Sequence, residues 1–264
     1  MDYAYFGMKK MPFSKEISAD DFYMTYDQKE AQARLNYIKQ FRGIFLLTGE
    51  PGGGKTSILR KFVGGLNPQS HECNYTPHAT VSKSEVYRQI NSLLGLTHRI
   101  SKSVLFKQIQ EAVWDKYRHR GITPCIILDE CHLMDQQTLQ ELIMLTNFEM
   151  DSKVPMILIL AGQPMLKEML KRRNLEALNQ RITLRYHVGG FEAEETKNYI
   201  LHHLKLAGRT DPLFEENCFE MIHQLGMGLP RKIAGICLDG MTLAIHKGIQ
   251  IINTELVHQC GGNI

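Results

Sequence analysis

Apolar and polar positions follow two regimes along this chain. Up to about residue 188, short unbroken apolar runs alternate with stretches of helical spacing. After Gly189-Gly190 only helical spacing remains. The runs at 44–48, 75–81, 124–128, 156–161 and 182–187 predict strands. Helical spacing predicts helices at about 27–40, 56–65, 84–94, 103–119, 136–149 and 164–171. In the first of these, Ala31, Leu35 and Ile38 share one face. Strands alternating with helices imply parallel βαβ units with right-handed crossovers. The run Ile126-Ile127-Leu128 shows no alternation, as expected for a central strand buried on both faces. The expected fold class is therefore α/β: a five-stranded parallel sheet flanked by helices. Patterns at 193–207, 215–224, 230–247 and 254–259 add a small C-terminal helical lid.

The loop after the first strand carries the first candidate chemistry. Gly49-Glu50-Pro51-Gly52-Gly53-Gly54-Lys55-Thr56 fits the phosphate-binding pattern G-x-x-x-x-G-K-[ST] at every fixed position. A strand precedes it, and Ser57 and the residues beyond read as a helix start. Glycines let successive backbone N–H groups turn toward phosphate oxygens, and the helix N-terminus adds partial positive charge. Lys55 can reach the outer phosphates, and Thr56 can offer its hydroxyl to Mg2+. ATP and Mg2+ are the expected cofactors. This splits the chain into an approach segment and helix at 1–43, an α/β nucleotide-binding domain at 44–190 and a helical lid at 191–260.

The third strand ends in Asp129-Glu130. A carboxylate at a strand tip can hold Mg2+, which assigns Asp129 to the metal. Glu130 can orient and polarise the attacking water. The triplet Glu130-Cys131-His132 also matches the acidic box of some helicases, but no other helicase motif accompanies it. Gln163 follows the fourth strand. It can hydrogen-bond the terminal phosphate or the water, or it is simply a polar residue opening a helix. Arg181 precedes the fifth strand, where it is a candidate to reach a neighbouring subunit's site; Arg172 and Arg173 are the reserves. Gly228-Leu229-Pro230-Arg231 opens a lid helix with Pro in its first turn. Arg231 can then reach the nucleotide, or it is an exposed helical Arg.

Bulk properties narrow the class. The chain has 264 residues, 43% hydrophobic and 22% charged, an ordinary globular balance. Its net charge of +3 is small, so any surface for a polyanion must be local. The six cysteines show no C-x-x-C spacing, which predicts reduced thiols, a cytoplasmic protein and no zinc. No apolar run approaches the roughly 20 residues that cross a bilayer. The start, Met1-Asp2-Tyr3-Ala4-Tyr5-Phe6, lacks a basic leader. No membrane partner is expected, and the last four residues are expected to fray.

Several motifs occur in one order. They are Phe6-Gly7 with Pro12-Phe13, the phosphate loop, Leu128-Asp129-Glu130, Ala161-Gly162-Gln163-Pro164, Gln180-Arg181-Ile182 and Gly228-Leu229-Pro230-Arg231. This set resembles the AAA+ ATPase domain of the ExeA/GspA family, which is similar to transposition regulators of the TnsC, TniB, MuB and IstB type. The resemblance covers residues 3 to 258. It implies ATP hydrolysis to ADP and phosphate, with Gln163 as sensor 1, Arg181 as the arginine finger and Arg231 as sensor 2. The stretch 226–233 follows the family only in part. Secretion members of the family carry a membrane span and a cell-wall-binding region after the ATPase. Because this chain ends with its helical bundle, the expectation is the stand-alone form. That form is a transposon regulator that assembles as a ring or filament on double-stranded DNA. It would recruit or activate a DDE transposase, possibly with a target-selection protein, and leave on hydrolysis. An ExeA-like secretion or envelope-assembly ATPase is the alternative.

The charge distribution supports a DNA surface. Between Lys83 and Arg120 stand eight cations: Lys83, Arg88, Arg99, Lys102, Lys107, Lys116, Arg118 and Arg120. Only Glu85, Glu111 and Asp115 oppose them. Lys83-Ser84 and Lys102-Ser103 sit at predicted helix N-termini, where hydroxyls, ammonium groups and backbone N–H groups hold phosphates without reading bases. The candidate DNA contacts are Lys83, Ser84, Arg88, Arg99, Lys102 and Ser103. A solvated face on two helices is the alternative. The absence of interleaved aromatics argues against single-strand stacking.

Overall fold

Five parallel strands organise the larger of two compact units, Glu30–Gly49 with Ile58–Val188. A computed structural model describes residues 2–77, 82–97 and 101–261 of the chain. The strands are β1 (Gly43–Gly49), β2 (His71–Thr76), β3 (Thr123–Leu128), β4 (Ile157–Gly162) and β5 (Ile182–Val188), in the order β2-β3-β4-β1-β5. Every neighbouring pair is parallel, with Phe45 opposite Ile159, Ile127 opposite Ile159 and Tyr75 opposite Ile127. The C-terminal ends of all five therefore share one edge, where ligands of open α/β sheets bind.

Position in the sheet explains the sequence pattern. β3 and β4 are buried at every residue, as unbroken apolar runs require. β5 stands at one edge and alternates between buried and exposed positions. The other edge strand, β2, is half-buried and reads His-Glu-Cys-Asn-Tyr-Thr. That lack of apolar signal drew the predicted strand to 75–81. The observed strand lies earlier, and residues 78–81 lie outside those described.

Helices α1 (Tyr26–Phe41) and α2 (Lys55–Gly64) cover one face. There Ala31, Leu35, Ile58 and Phe62 pack with Phe45, Ile127 and Ile159. Helices α3 (Lys83–Leu93), α4 (Lys102–His119) and α5 (Gln136–Leu145) cover the other. Val86, Ile109 and Leu142 pack there with Leu46, Ile126 and Leu158. Alternate residues of each strand thus face opposite cores. Truncating one of these Leu, Ile or Phe side chains to Ala costs about 2–5 kcal/mol. Short helices α6 (Met165–Leu170) and α7 (Glu176–Arg181) follow β4. The apolar spacing does not predict α7, and it predicts α5 as far as residue 149. The helix stops at Leu145, and Glu149, Met150 and Asp151 all have positive φ, which no α-helix contains.

The second unit comprises Met1–Lys29, Glu50–Ser57 and Gly189–Ile264. Its helices are α8 (Ala193–Leu206), α9 (Glu216–Gly226), α10 (Pro230–Lys247) and α11 (Thr254–Gly261). Phe6, Met8 and Phe13 of the N-terminal segment join Ile200, Leu204, Ile236 and Met241 in one core. Lys9 N donates to Ala207 O at 2.8 Å, and Arg209 Nη1 donates to Phe6 O at 2.7 Å. The first 29 residues therefore group with the C-terminal helices, and α1 crosses from one unit to the other. Pro230 occupies the first turn of α10, and Gly248 closes it in the left-handed region.

Candidate nucleotide site

The phosphate loop leaves β1 at Gly49 and enters α2 at Lys55, the strand-loop-helix order that its pattern demands. Gly52 and Gly54 have φ of +81° and +96°. These values favour glycine, because a Cβ in this region crowds the following carbonyl. Gly53 N and Lys55 Nζ both donate to Glu50 O, at 3.0 and 3.1 Å, which draws the loop into a tight turn. Lys55 is buried, while Thr56 is exposed and Ser57 half-buried. Amides at the start of α2 lack partners within the helix and favour an anion.

Two elements of the same unit fix this loop. Arg231 N, in the first turn of α10, donates to Gly52 O at 3.3 Å. A Cβ on Gly52 would lie 2.7 Å from Arg231 Cβ. The sequence-predicted Arg231 is thus brought to the loop, with its side chain exposed. From the other direction comes Gln28. A Cβ on Gly54 would lie 2.7 Å from Gln28 Nε2. Gln28 is buried at 4% exposure and locked by a capping box: its N donates to Thr25 Oγ1, and Thr25 N donates to its Oε1. The pattern Thr25-x-x-Gln28 was visible in the sequence, but its link to the loop was not. Gly52 and Gly54 thus form a cradle that side chains would fill. Lys55, a Thr hydroxyl and backbone amides are the donors that a nucleotide phosphate needs.

The larger unit carries the remaining candidates at its C-terminal edge. Asp129 follows β3, is 4% exposed and continues the sheet ladder by donating its N–H to Thr76 O at 3.0 Å. Its carboxylate accepts from Tyr75 Oη at 2.9 Å on Oδ2 and from Glu130 N at 2.8 Å on Oδ1. Burial, then the Asp129 charge, push the Tyr75 hydroxyl above its ordinary range, so it stays a donor. The Asp129 carboxylate suits Mg2+ chemically, being hard and oxygen-based. Glu130 has φ of +55° and a side chain 43% exposed. Gln163 follows β4 and donates its N–H to His132 Nδ1 at 3.3 Å; the same Nδ1 lies 3.3 Å from Glu130 Oε2. Tyr75 and His132 were not picked out from sequence: one sits on a polar edge strand, the other in a triplet set aside with the helicase reading. Among the described residues, no group of three or more His, Cys, Asp or Glu could hold a metal.

Arg181 is the last residue of α7 and directly precedes β5. Its Nη1 donates to Asp151 Oδ1 at 2.5 Å. The reserves Arg172 and Arg173 are exposed.

The basic segment is less basic than its window count suggested. Lys102 pairs with Glu141 at 2.5 Å, Lys116 with Glu72 at 2.5 Å and Arg118 with Glu149 at 3.9 Å. All three acids lie outside the counted window. Within it, Arg88 pairs with Glu85, Lys107 with Glu111 and Arg120 with Asp115. Ser103 shares a hydrogen bond with Ser101 at 2.8 Å. Lys83 and Ser84 open α3, and Arg99 lies outside the described residues. Among the described residues, no helix is long and apolar enough to cross a membrane.

Comparison with known proteins gives the context. Residues 38–170 match the AAA domain family. The chain is 31% identical over 248 residues to general secretion pathway protein A of Aeromonas hydrophila, covering 92% of this chain and 45% of that protein. It thus spans under half the length of this curated relative. Among solved structures, Cdc6p of Pyrobaculum aerophilum is similar with a TM-score of 0.70 and 15% identity, over 96% of this chain and 68% of that one. The Holliday junction branch migration motor RuvB of Thermotoga maritima has a TM-score of 0.61 and 19% identity, over 92% and 70%. At those identities the likeness concerns the fold.

Proposed function

The chain belongs to the AAA domain family and is an ATPase, and on that premise we propose that it works as one of the general secretion pathway protein A type. The observation that carries this is the 31% identity to the Aeromonas protein over 92% of the chain. The sequence alone ranks transposition ahead of secretion; the identity to a secretion pathway protein favours the reverse order.

In this reading residues 49–57 bind ATP. The loop amides and Lys55 neutralise the phosphates, and Thr56 and Asp129 hold Mg2+. Bound Mg2+ would offset charge on the phosphate oxygens. Glu130 orients the attacking water and takes its proton. Gln163 senses the terminal phosphate, Arg231 reads the nucleotide from α10, and Arg181 acts on a neighbouring copy in an oligomer. The work done by hydrolysis serves secretion or envelope assembly.

The test is a graft. This chain replaces the matching region of the Aeromonas protein, and secretion is measured in cells lacking the native copy. Restored secretion, lost again with Lys55→Ala in the graft, is the expected result. A graft that folds and hydrolyses ATP without restoring secretion overturns the reading.

One observation keeps a DNA-linked reading as the second. The fold is shared with a Holliday junction motor, and Lys83-Ser84 opens a helix in the basic segment. That reading predicts ATP-dependent, salt-sensitive retention of plain duplex DNA. With six of the seven cations among the described residues of that segment in ion pairs, it ranks below secretion.

A further inference from the structure

One imidazole nitrogen stands between two of the residues assigned to hydrolysis. His132 Nδ1 is 3.3 Å from Glu130 Oε2 and 3.3 Å from Gln163 N. The ring is buried, with 4% of the side chain exposed. Its seat depends on Gly162, the last residue of β4. A Cβ there would come within 3.3 Å of His132 N and 3.4 Å of its Nδ1, and within 3.1 Å of Leu166 Cδ2. A side chain at 162 would crowd Leu166 and the backbone at His132, each of which would have to give by a few tenths of an ångström, and would leave the imidazole in close contact. The ring is therefore held between the turn after β3 and the start of α6.

Nδ1 cannot serve both neighbours at once. As a bare nitrogen it accepts the Gln163 N–H. Carrying hydrogen, it donates to the Glu130 carboxylate. In a neutral imidazole this is a choice of tautomer and needs no change of charge. Holding Glu130 and holding the backbone of Gln163 are thus alternatives on one atom. The Glu130 side chain is otherwise half-exposed, at 43%. A half-exposed carboxylate samples several rotamers, and only some face a water in line for attack.

We propose that His132 is a positioning residue for hydrolysis, fixing the Glu130 carboxylate and tying its orientation to the strand end that carries Gln163. This rests on the reading of Glu130 as the residue that orients the water. It adds a residue that touches neither nucleotide nor water and acts through Glu130.

The experiment measures kcat and KM for Mg·ATP on the full chain with His132→Ala, His132→Asn and His132→Gln, alone and with Glu130→Gln. Asn can present an acceptor to Gln163 N and a donor to Glu130 near the place of Nδ1; Gln sets its amide farther out. His132→Ala should lower kcat roughly 10-fold or more while KM stays within about twofold, since misplaced catalytic groups cost up to about 10²-fold. His132→Asn should recover most of the loss and His132→Gln little of it. Added to Glu130→Gln, His132→Ala should cost nothing further, because the two act as a unit.

A kcat for His132→Ala within twofold of the parent overturns the proposal. So does equal impairment by Asn and Ala, which would mean a packing role, or an additive loss on top of Glu130→Gln. Should His132→Ala fail to fold, the Asn and Gln variants decide by the same contrast. If Glu130→Gln itself turns over normally, the assignment of Glu130 falls. If Glu130→Gln is inactive while every His132 variant is fully active, only the role of His132 falls.

Discussion

The Tyr75 hydroxyl donates a 2.9 Å hydrogen bond to Oδ2 of Asp129, joining an edge strand to the carboxylate assigned to Mg2+. Partners of this kind hold a metal ligand in place, and their loss costs about 10–100-fold in metal affinity or activity. Tyr75→Phe keeps the ring and removes the donor. The Mg2+ concentration giving half-maximal hydrolysis should then rise about 10-fold, with nucleotide binding in the absence of Mg2+ unchanged. An unaltered Mg2+ dependence would remove Tyr75 from the site.

Gly52 faces two constraints at once, a φ of +81° and an Arg231 Cβ that a new methyl would meet at 2.7 Å. Left-handed backbone alone costs a non-glycine residue about 1–2 kcal/mol. Gly52→Ala should lower the unfolding midpoint and abolish saturable ATP binding. Gly65→Ala is the control, because a Cβ there meets nothing closer than 3.5 Å. Equal behaviour of the two variants in thermal unfolding and nucleotide titration would contradict this account of the loop.

Arg181 is engaged with Asp151 within its own chain. A finger must leave that partner to act on a neighbouring copy. Arg181→Ala should spare ATP binding and cut the concentration-dependent part of hydrolysis by 10³-fold or more, as removal of such a group does elsewhere. Asp151→Asn should raise turnover at a given protein concentration. Turnover measured across a protein dilution series checks both, and a flat series for the parent chain would remove the neighbour from the mechanism.

Buried His203 couples the second unit to pH. Burial, followed by the nearby His202, lowers its pKa from 6.5 to about 4. The Phe13 ring stacks on it at 5.1 Å, and the Tyr199 ring stands edge-on at 4.5 Å. The unfolded chain takes up the proton first, so stability is full above pH 6.5 and falls as pH drops toward 4. The loss attributable to this group reaches about 3 kcal/mol. Urea unfolding at pH 7 and pH 4.5 should show the drop, and His203→Phe should reduce it. An identical pH dependence in parent and variant would refute the assignment.

The sheet was legible because β3 and β4 carry apolar runs that only a doubly covered strand tolerates, and because the phosphate-loop pattern brackets β1 and α2. β2 was misplaced since an edge strand with one neighbour needs no apolar signal. Lys55, Asp129 and Glu130 stood out through local patterns that carry their own chemistry. Tyr75 did not, because it matters only through Asp129, distant in sequence; His132 did not, because only the fold sets its ring between the neighbouring Glu130 and the distant Gln163. The charge excess of the basic segment is smaller in space than along the chain for the same reason. Glu72, Glu141 and Glu149 offset part of it in space from outside residues 83–120.

The most direct test is an equilibrium titration of the full chain with Mg·ATP, beside Lys55→Ala and Glu130→Gln. Saturable binding by the parent and by Glu130→Gln, at least about 10-fold weaker in Lys55→Ala (about 1.4 kcal/mol), is the predicted result. No binding by the parent chain, or equal binding by Lys55→Ala, would contradict the account at its root.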